Sequence, residues 1–176
     1  MGIRVTGIST PVGGLSWEYT RSDKQNIPLI ISPGQKIKVF ISSICGVEKY
    51  DKVRAELKSA IEATQLADAY TFESKGASTL TAGDHYTFAL EESDICIFLI
   101  DNADGIRPRV QGEIDTVKKY NIKALYYFCD ENQKEKTALE QSLMGAHLAK
   151  SKTVHSFSEL SKDGAQALIE DIIAIY

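Results

Sequence analysis

From Ile95 to Ile100 the chain carries an unbroken apolar run, ICIFLI, bounded by Asp94 and Asp101. A run that short, rich in β-branched side chains and without polar alternation, predicts a strand buried on both faces, as in a parallel sheet. Past a polar loop, Asp101 to Arg109, the period changes. Val110, Ile114 and Val117 recur at spacings of four and three, which is helical. Asn121 marks the helix end, and Lys123 to Phe128 (KALYYF) is a second apolar strand. This is a β–loop–α–β unit whose loop leaves the carboxyl end of a central strand, where open α/β sheets bind ligands. Glu113 is expected in the first turn of that helix, beside the loop.

Upstream, Ile37 to Ile41 (IKVFI) reads as a strand, with Ser42-Ser43-Ile44-Cys45-Gly46 as the loop at its carboxyl end. Glu48 to Gln65 reads as a helix with Val53, Leu57, Ala60, Ile61 and Thr64 as its buried stripe. Ala69 to Glu73 is a short second strand, and Ser74 to Gly83 is a polar loop long enough to move. His85 to Glu92 is helical and leads into the strand at Ile95. Downstream, Gln133 to Ala149 is helical with Leu139, Leu143 and Ala146 inward, and Thr153 to Phe157 is a last strand. Ser158 is expected to cap a final helix that holds Leu160, Ala165, Leu168, Ile169, Ile172 and Ile173; Ser158-x-x-Ser161 lacks the partner of a capping box. Five strands alternating with helices predict an α/β fold, a doubly wound parallel five-stranded sheet of flavodoxin-like order.

Residues 1–35 read differently. Ile3 and Val5, then Leu15, Trp17 and Tyr19, alternate on either side of Pro11-Val12-Gly13-Gly14, the pattern of a β-hairpin with one apolar face. Pro28 to Ser32 adds a third short strand. The expected organisation is an N-terminal hairpin appendage over 1–35 and an α/β domain over 36–176. The appendage either packs on the main domain or forms a lid or self-association surface anchored by Trp17.

Composition narrows the classes. A chain of 176 residues suits one domain of ordinary size. The net charge of −4 and the lack of a Lys/Arg stripe argue against nucleic acid as the main partner. No apolar run approaches a membrane span, and the N-terminus lacks a signal peptide's hydrophobic stretch, so no membrane partner is expected. Cys45, Cys96 and Cys129 are odd in number, and the last two fall in or at the end of apolar strands. They read as reduced thiols of a cytoplasmic protein. His85, His147 and His155 lack ligand spacing, so no metal and no cofactor is assigned. The chain ends at Tyr176 directly after the last helix, which suggests a domain of a longer polypeptide.

The strand ends converge on one crevice in such a sheet. They offer Ser42 and Ser43 after the first strand, Phe72 and Glu73 after the second, and Asp101, Asp104, Arg107 and Arg109 after the third, with Glu113 completing the rim. Hydroxyls and carboxylates there suit a ribose or nucleotide, because a carboxylate accepts pairs of hydrogen bonds from sugar hydroxyls. The phosphate-binding strings GxxxxGK[ST] and GxGxxG are absent. Each residue also has a plainer role: Ser42 and Ser43 bond loop backbone, Asp101 and Asp104 form turns, and Glu113 complements a helix dipole.

Three strings, KVFISS, EESDICIFLI and QGEIDTVKKYNIKALYYF, resemble a TIR-like domain. More specifically, they are similar to the group found at the N-terminus of larger bacterial NTPase and repeat proteins. That superfamily also holds the nucleoside 2-deoxyribosyltransferases. The resemblance covers about residues 36–175. It implies that Glu113 matches the catalytic glutamate at the start of the helix after the third strand. It further implies an NAD+ glycohydrolase or NAD-derived signal synthase, with NAD+ as substrate rather than cofactor, self-association, and use as a defence effector. Two alternatives stay open: a non-catalytic signalling or nucleotide-messenger-binding domain, and a deoxyribosyltransferase or N-glycosidase. Catalytic TIR domains usually carry tryptophan four residues before the glutamate, where this chain has Arg109.

Overall fold

The structure is a computed structural model that describes residues 8–9, 15–16, 35–74, 81–101, 106–129, 137–143 and 151–175. Strands β1 (Ile8–Ser9) and β2 (Leu15–Ser16) pair antiparallel as Ile8 with Ser16 and Ser9 with Leu15, the pairing expected of a hairpin. Trp17, the PLIIS strand and Asp104 lie outside the described residues.

The remaining strands are β3 (Ile37–Ser42), β4 (Ala67–Tyr70), β5 (Ile95–Asp101), β6 (Lys123–Cys129) and β7 (Ser151–Val154). They form one parallel sheet in the order β4-β3-β5-β6-β7, the predicted flavodoxin-like arrangement. Every residue of β5 is buried, as its unbroken apolar run required. Helices α1 (Glu48–Ala63) and α5 (Phe157–Ile175) cover one face. Helices α2 (Ala82–Glu91), α3 (Pro108–Tyr120) and the short α4 (Ala138–Ser142) lie along the other. Strand alternation sorts the core accordingly: Val39, Ile41, Ile97 and Leu99 pack toward α1 and α5, while Phe40, Phe98 and Ile100 pack toward α2 and α3. Ser42 ends β3 opposite Phe98, and β5 runs on through Leu99 and Ile100 to Asp101.

Several boundaries differ from the sequence reading. Strand β4 begins at Ala67, because Ala67 pairs with Ile37 and the Ile37 N–H donates to the Leu66 carbonyl. The strand therefore ends at Tyr70, and Phe72 and Glu73 sit in a 3₁₀ turn instead of a strand. In α1 the buried stripe is Tyr50, Val53, Arg54, Leu57 and Ile61; Ala60 is exposed and Thr64 is the cap. Strand β7 comes earlier than expected, so Ser156 rather than Ser158 starts α5. The Glu159 N–H donates to Ser156 Oγ at 3.3 Å, and Ser156-x-x-Glu159 has capping-box spacing. Of the helix expected over 133–149, α4 is the described part, with Leu143 buried.

Helix α3 starts at Pro108, whose missing N–H costs nothing at the first helical position. Asn121 closes it in the left-handed region, at φ 50°, where asparagine is tolerated. This earlier start moves Glu113 into the second turn. The helix-dipole role proposed for a first-turn carboxylate therefore does not apply to it.

Candidate active site

Glu113 occupies a position of the α3 stripe that otherwise carries Val110, Ile114 and Val117, and it is 4% exposed. Its carboxylate meets the end of β3, where Ser42 Oγ donates to Glu113 Oε2. The Tyr86 hydroxyl of α2 hydrogen-bonds the same carboxylate. Burial pushes the Glu113 carboxyl above the usual carboxylate range; the Ser42 and Tyr86 hydrogen bonds and the Arg109 charge pull the other way without cancelling it. Burial, and then the Glu113 charge, raise the Tyr86 phenol as well, so it stays protonated and donates. Three elements thus fix one acidic group from three directions.

Arg109 lies one helical turn before Glu113. Its guanidinium sits over the Tyr86 ring at 4.2 Å and near the Phe72 ring at 5.4 Å. A groove of about 360 Å³ runs between α2 and α3, lined by Tyr86, Leu90, Arg109, Gly112, Glu113 and Thr116 among others. A Cβ at Gly112 would meet nothing within 4 Å, so that wall of the groove is open.

The other sequence candidates divide. Ser43 does not face Glu113; its Oγ accepts from Arg54, which also donates to the Ile44 carbonyl at 2.8 Å. The same guanidinium binds Asp51 at 2.5 Å and both carboxylate oxygens of Glu73. Burial raises the Glu73 carboxyl, but the hydrogen bond and charge of Arg54, with a backbone hydrogen bond and Thr71, hold it below the usual range. Ser43 and Glu73 are thereby engaged in clamping the loop after β3 to the turn after β4. Asp101 is buried but faces the α1 side, where Lys49 Nζ lies 3.7 Å away and the Tyr50 hydroxyl is adjacent. It stands across the sheet from Glu113. Arg107 is the exposed residue before α3 and makes no capping bond through its side chain. Phe72 is half-exposed beside Arg109. The structure therefore brings together Ser42, Phe72, Arg109 and Glu113.

Tyr86 and Arg54 were missed by sequence reasoning, although each left a signal. Arg54 stands among Tyr50, Val53, Leu57 and Ile61 on an apolar stripe and is 1% exposed. Tyr86 shares the buried side of α2 with Leu90. A tyrosine buried on a helix needs a partner for its hydroxyl, and here the partner is the candidate carboxylate.

Fold and site together define an α/β protein of flavodoxin-like topology with a buried glutamate at the carboxyl edge of its sheet. No protein-family model matches the chain, and no curated protein matches it in sequence. Among solved structures it is similar to a CMP N-glycosidase from Clostridium botulinum, with 13% identity, a TM-score of 0.53, and coverage of 72% of this chain and 96% of that one. A conserved protein from Enterococcus faecalis gives 15% identity, a TM-score of 0.49, and coverage of 76% and 99%. A TIR domain from the RPS4 and RRS1 heterodimer gives 10% identity, a TM-score of 0.48, and coverage of 77% and 97%. At such identities the likeness to the glycosidase is one of fold. No described helix is long and apolar enough to cross a membrane.

Proposed function

We propose that this protein cleaves the N-glycosidic bond of a nucleotide, with Glu113 as the carboxylate beneath the ribose and NAD+ as the first substrate to test. One observation carries the reading: a buried carboxylate held by Ser42, which lies 71 residues away in sequence. A charge costs several kcal/mol to bury, so an apolar helix stripe is a poor place for one unless it is fully paired or its chemistry is used, and Glu113 has no ion pair among the described residues. The likeness of fold to a CMP N-glycosidase supports the same reaction class, and the resemblance of KVFISS and QGEIDTVKKYNIKALYYF to TIR-like domains is the reason to try NAD+ first.

Glycosidic cleavage passes through an oxocarbenium-like state, in which positive charge grows at C1′ as the bond to the base lengthens. The ionised Glu113 offsets that charge electrostatically. Ser42 and Tyr86 orient the carboxylate and keep it from rotating away. The bonding pair leaves with the base. For NAD+ the departing nicotinamide is neutral, so no acid has to protonate it. Water then attacks C1′ and releases a proton, giving ribosyl product and nicotinamide. The test is to incubate the protein with NAD+ and with nucleoside monophosphates and separate the products. Release of free base by the parent and its loss in Glu113→Gln is the expected result. Release that persists undiminished in Glu113→Gln overturns the assignment.

A further inference from the structure

We infer that Arg109 is a specificity-determining residue that reads a phosphate on the 5′-oxygen of the substrate, so that the site takes nucleotides in preference to free nucleosides. This rests on the glycosidase reading of Glu113 and adds the substrate's charged end to it. Arg109 is exposed and makes no ion pair among the described residues, whereas the buried Arg54 is paired with Asp51 and Glu73. Its guanidinium instead lies over the Tyr86 ring, with Phe72 close by. With no carboxylate on it among the described residues, the guanidinium keeps N–H donors for a ligand, and its fork of donors matches the oxygens of a phosphate. Arg109 also lines the groove that holds Glu113.

The spacing suits a nucleotide. Four residues of helix separate Arg109 from Glu113, a rise of about 6 Å. A ribose ring with its 5′-carbon fills such a span, placing C1′ at the carboxylate and the phosphate at the guanidinium. Among the described residues the neighbouring negative groups are engaged: Glu113 is bonded by Ser42 and Tyr86, and Glu73 by Arg54.

Nicotinamide mononucleotide and nicotinamide riboside share a leaving group and differ only in the 5′-phosphate. The test compares kcat/KM for the two, and for CMP against cytidine, in the parent and in Arg109→Gln. It is run at a pH high enough that Glu113 is ionised in both proteins. The parent should favour the phosphorylated member of at least one pair by about tenfold or more, the worth of one charge-assisted phosphate contact. In Arg109→Gln that ratio should fall to within about twofold of unity. An equal loss on both members means that Arg109 acts only through Glu113 and Tyr86, which overturns the inference and leaves the glycosidase reading intact. If the parent cleaves neither pair, nor NAD+, the glycosidase reading fails. Calorimetry with ribose 5-phosphate and ribose then decides the phosphate site alone. Ribose 5-phosphate binding that weakens about tenfold in Arg109→Gln supports it, and binding that is absent or unaffected overturns it.

Discussion

Replacing Glu113 by glutamine separates a reactive carboxylate from a structural one, because the two roles predict opposite signs for stability and for rate. The side chain is 4% exposed and its carboxyl is held above the usual carboxylate range by burial. A group raised in the folded state contributes stability below its unfolded value, near 4.3, and loses it as pH climbs through the folded value. At neutral pH and above, the ionised Glu113 therefore weakens the fold, by about 1.4 kcal/mol for each pH unit that separates folded from unfolded values. Glutamine removes that penalty but offers one acceptor oxygen to two donors, Ser42 and Tyr86, which offsets about 0.5–1.5 kcal/mol. Thermal melts should show the stability of Glu113→Gln relative to the parent rising from pH 4 to pH 8. A chain this long moves its Tm by about 2–4 °C per kcal/mol. On the rate side, a carboxylate about 4 Å from a cationic carbon at an effective dielectric near 20 attracts it by about 4 kcal/mol. Losing most of that slows base release by roughly a hundredfold or more. Melts in which Glu113→Gln loses ground as pH rises would refute the buried-charge argument, and unchanged cleavage would refute the chemistry.

Other consequences can be checked separately. The reactive form of Glu113 is ionised, so the acid limb of the pH–rate profile should lie above the ordinary glutamate range. It should move to still higher pH in Tyr86→Phe, which removes a donor that lowers the Glu113 value; a limb that moves to lower pH or stays fixed contradicts this. Arg54→Leu should cost about 1–3 kcal/mol, less than breaking a fully buried pair, because Asp51 and Glu73 reach water, and denaturant melts would measure it. Gly112→Leu adds a side chain where no neighbour stands within 4 Å, so the fold should keep its Tm while the filled groove slows cleavage. Full activity in that variant would show that substrate enters elsewhere.

The sheet was legible because its signals are redundant. β5 is apolar throughout, Val110, Ile114 and Val117 mark one helix face, and Asn121 ends it. Strand order followed from the alternation of strands and helices. What failed was phase at the ends. Strand β4 is four residues long, and pairing with β3 fixed its register rather than anything in its own sequence. Likewise Pro108 was read as loop when it opens α3, which misplaced Glu113 by one turn. At the site, topology put Ser42 and Glu113 on one crevice, where a hydrogen bond joins them, while the catalytic role expected of Glu113 comes from the resemblance. Ser43, Glu73 and Asp101 stand apart from Glu113, because a strand end and the turn beyond it offer side chains to both faces of the sheet. Sequence position gives no hint that a buried Arg54 gathers two of them or that Asp101 turns toward Lys49.

Arg54 and Glu113 pose the same physical problem and solve it differently, and the role proposed for Glu113 rests on that difference. Each is a charged residue set into an apolar helix stripe, and each is almost fully buried. Burial of an unpaired charge costs several kcal/mol, so both positions demand compensation. Arg54 receives it in full: two carboxylates, a hydroxyl and a carbonyl surround its guanidinium. Glu113 receives two neutral hydroxyls and the field of Arg109, with no ion pair among the described residues, and its carboxyl remains displaced upward. A saturated group such as Arg54 has nothing left to offer a ligand and serves to hold two strand ends together. An under-compensated carboxylate lowers its own free energy when positive charge arrives beside it, which is what an oxocarbenium-like sugar supplies. In the proposed reaction the deficit that destabilises the free site becomes attraction for the transition state, and it exists only while Glu113 is ionised and no lysine or arginine closes on it.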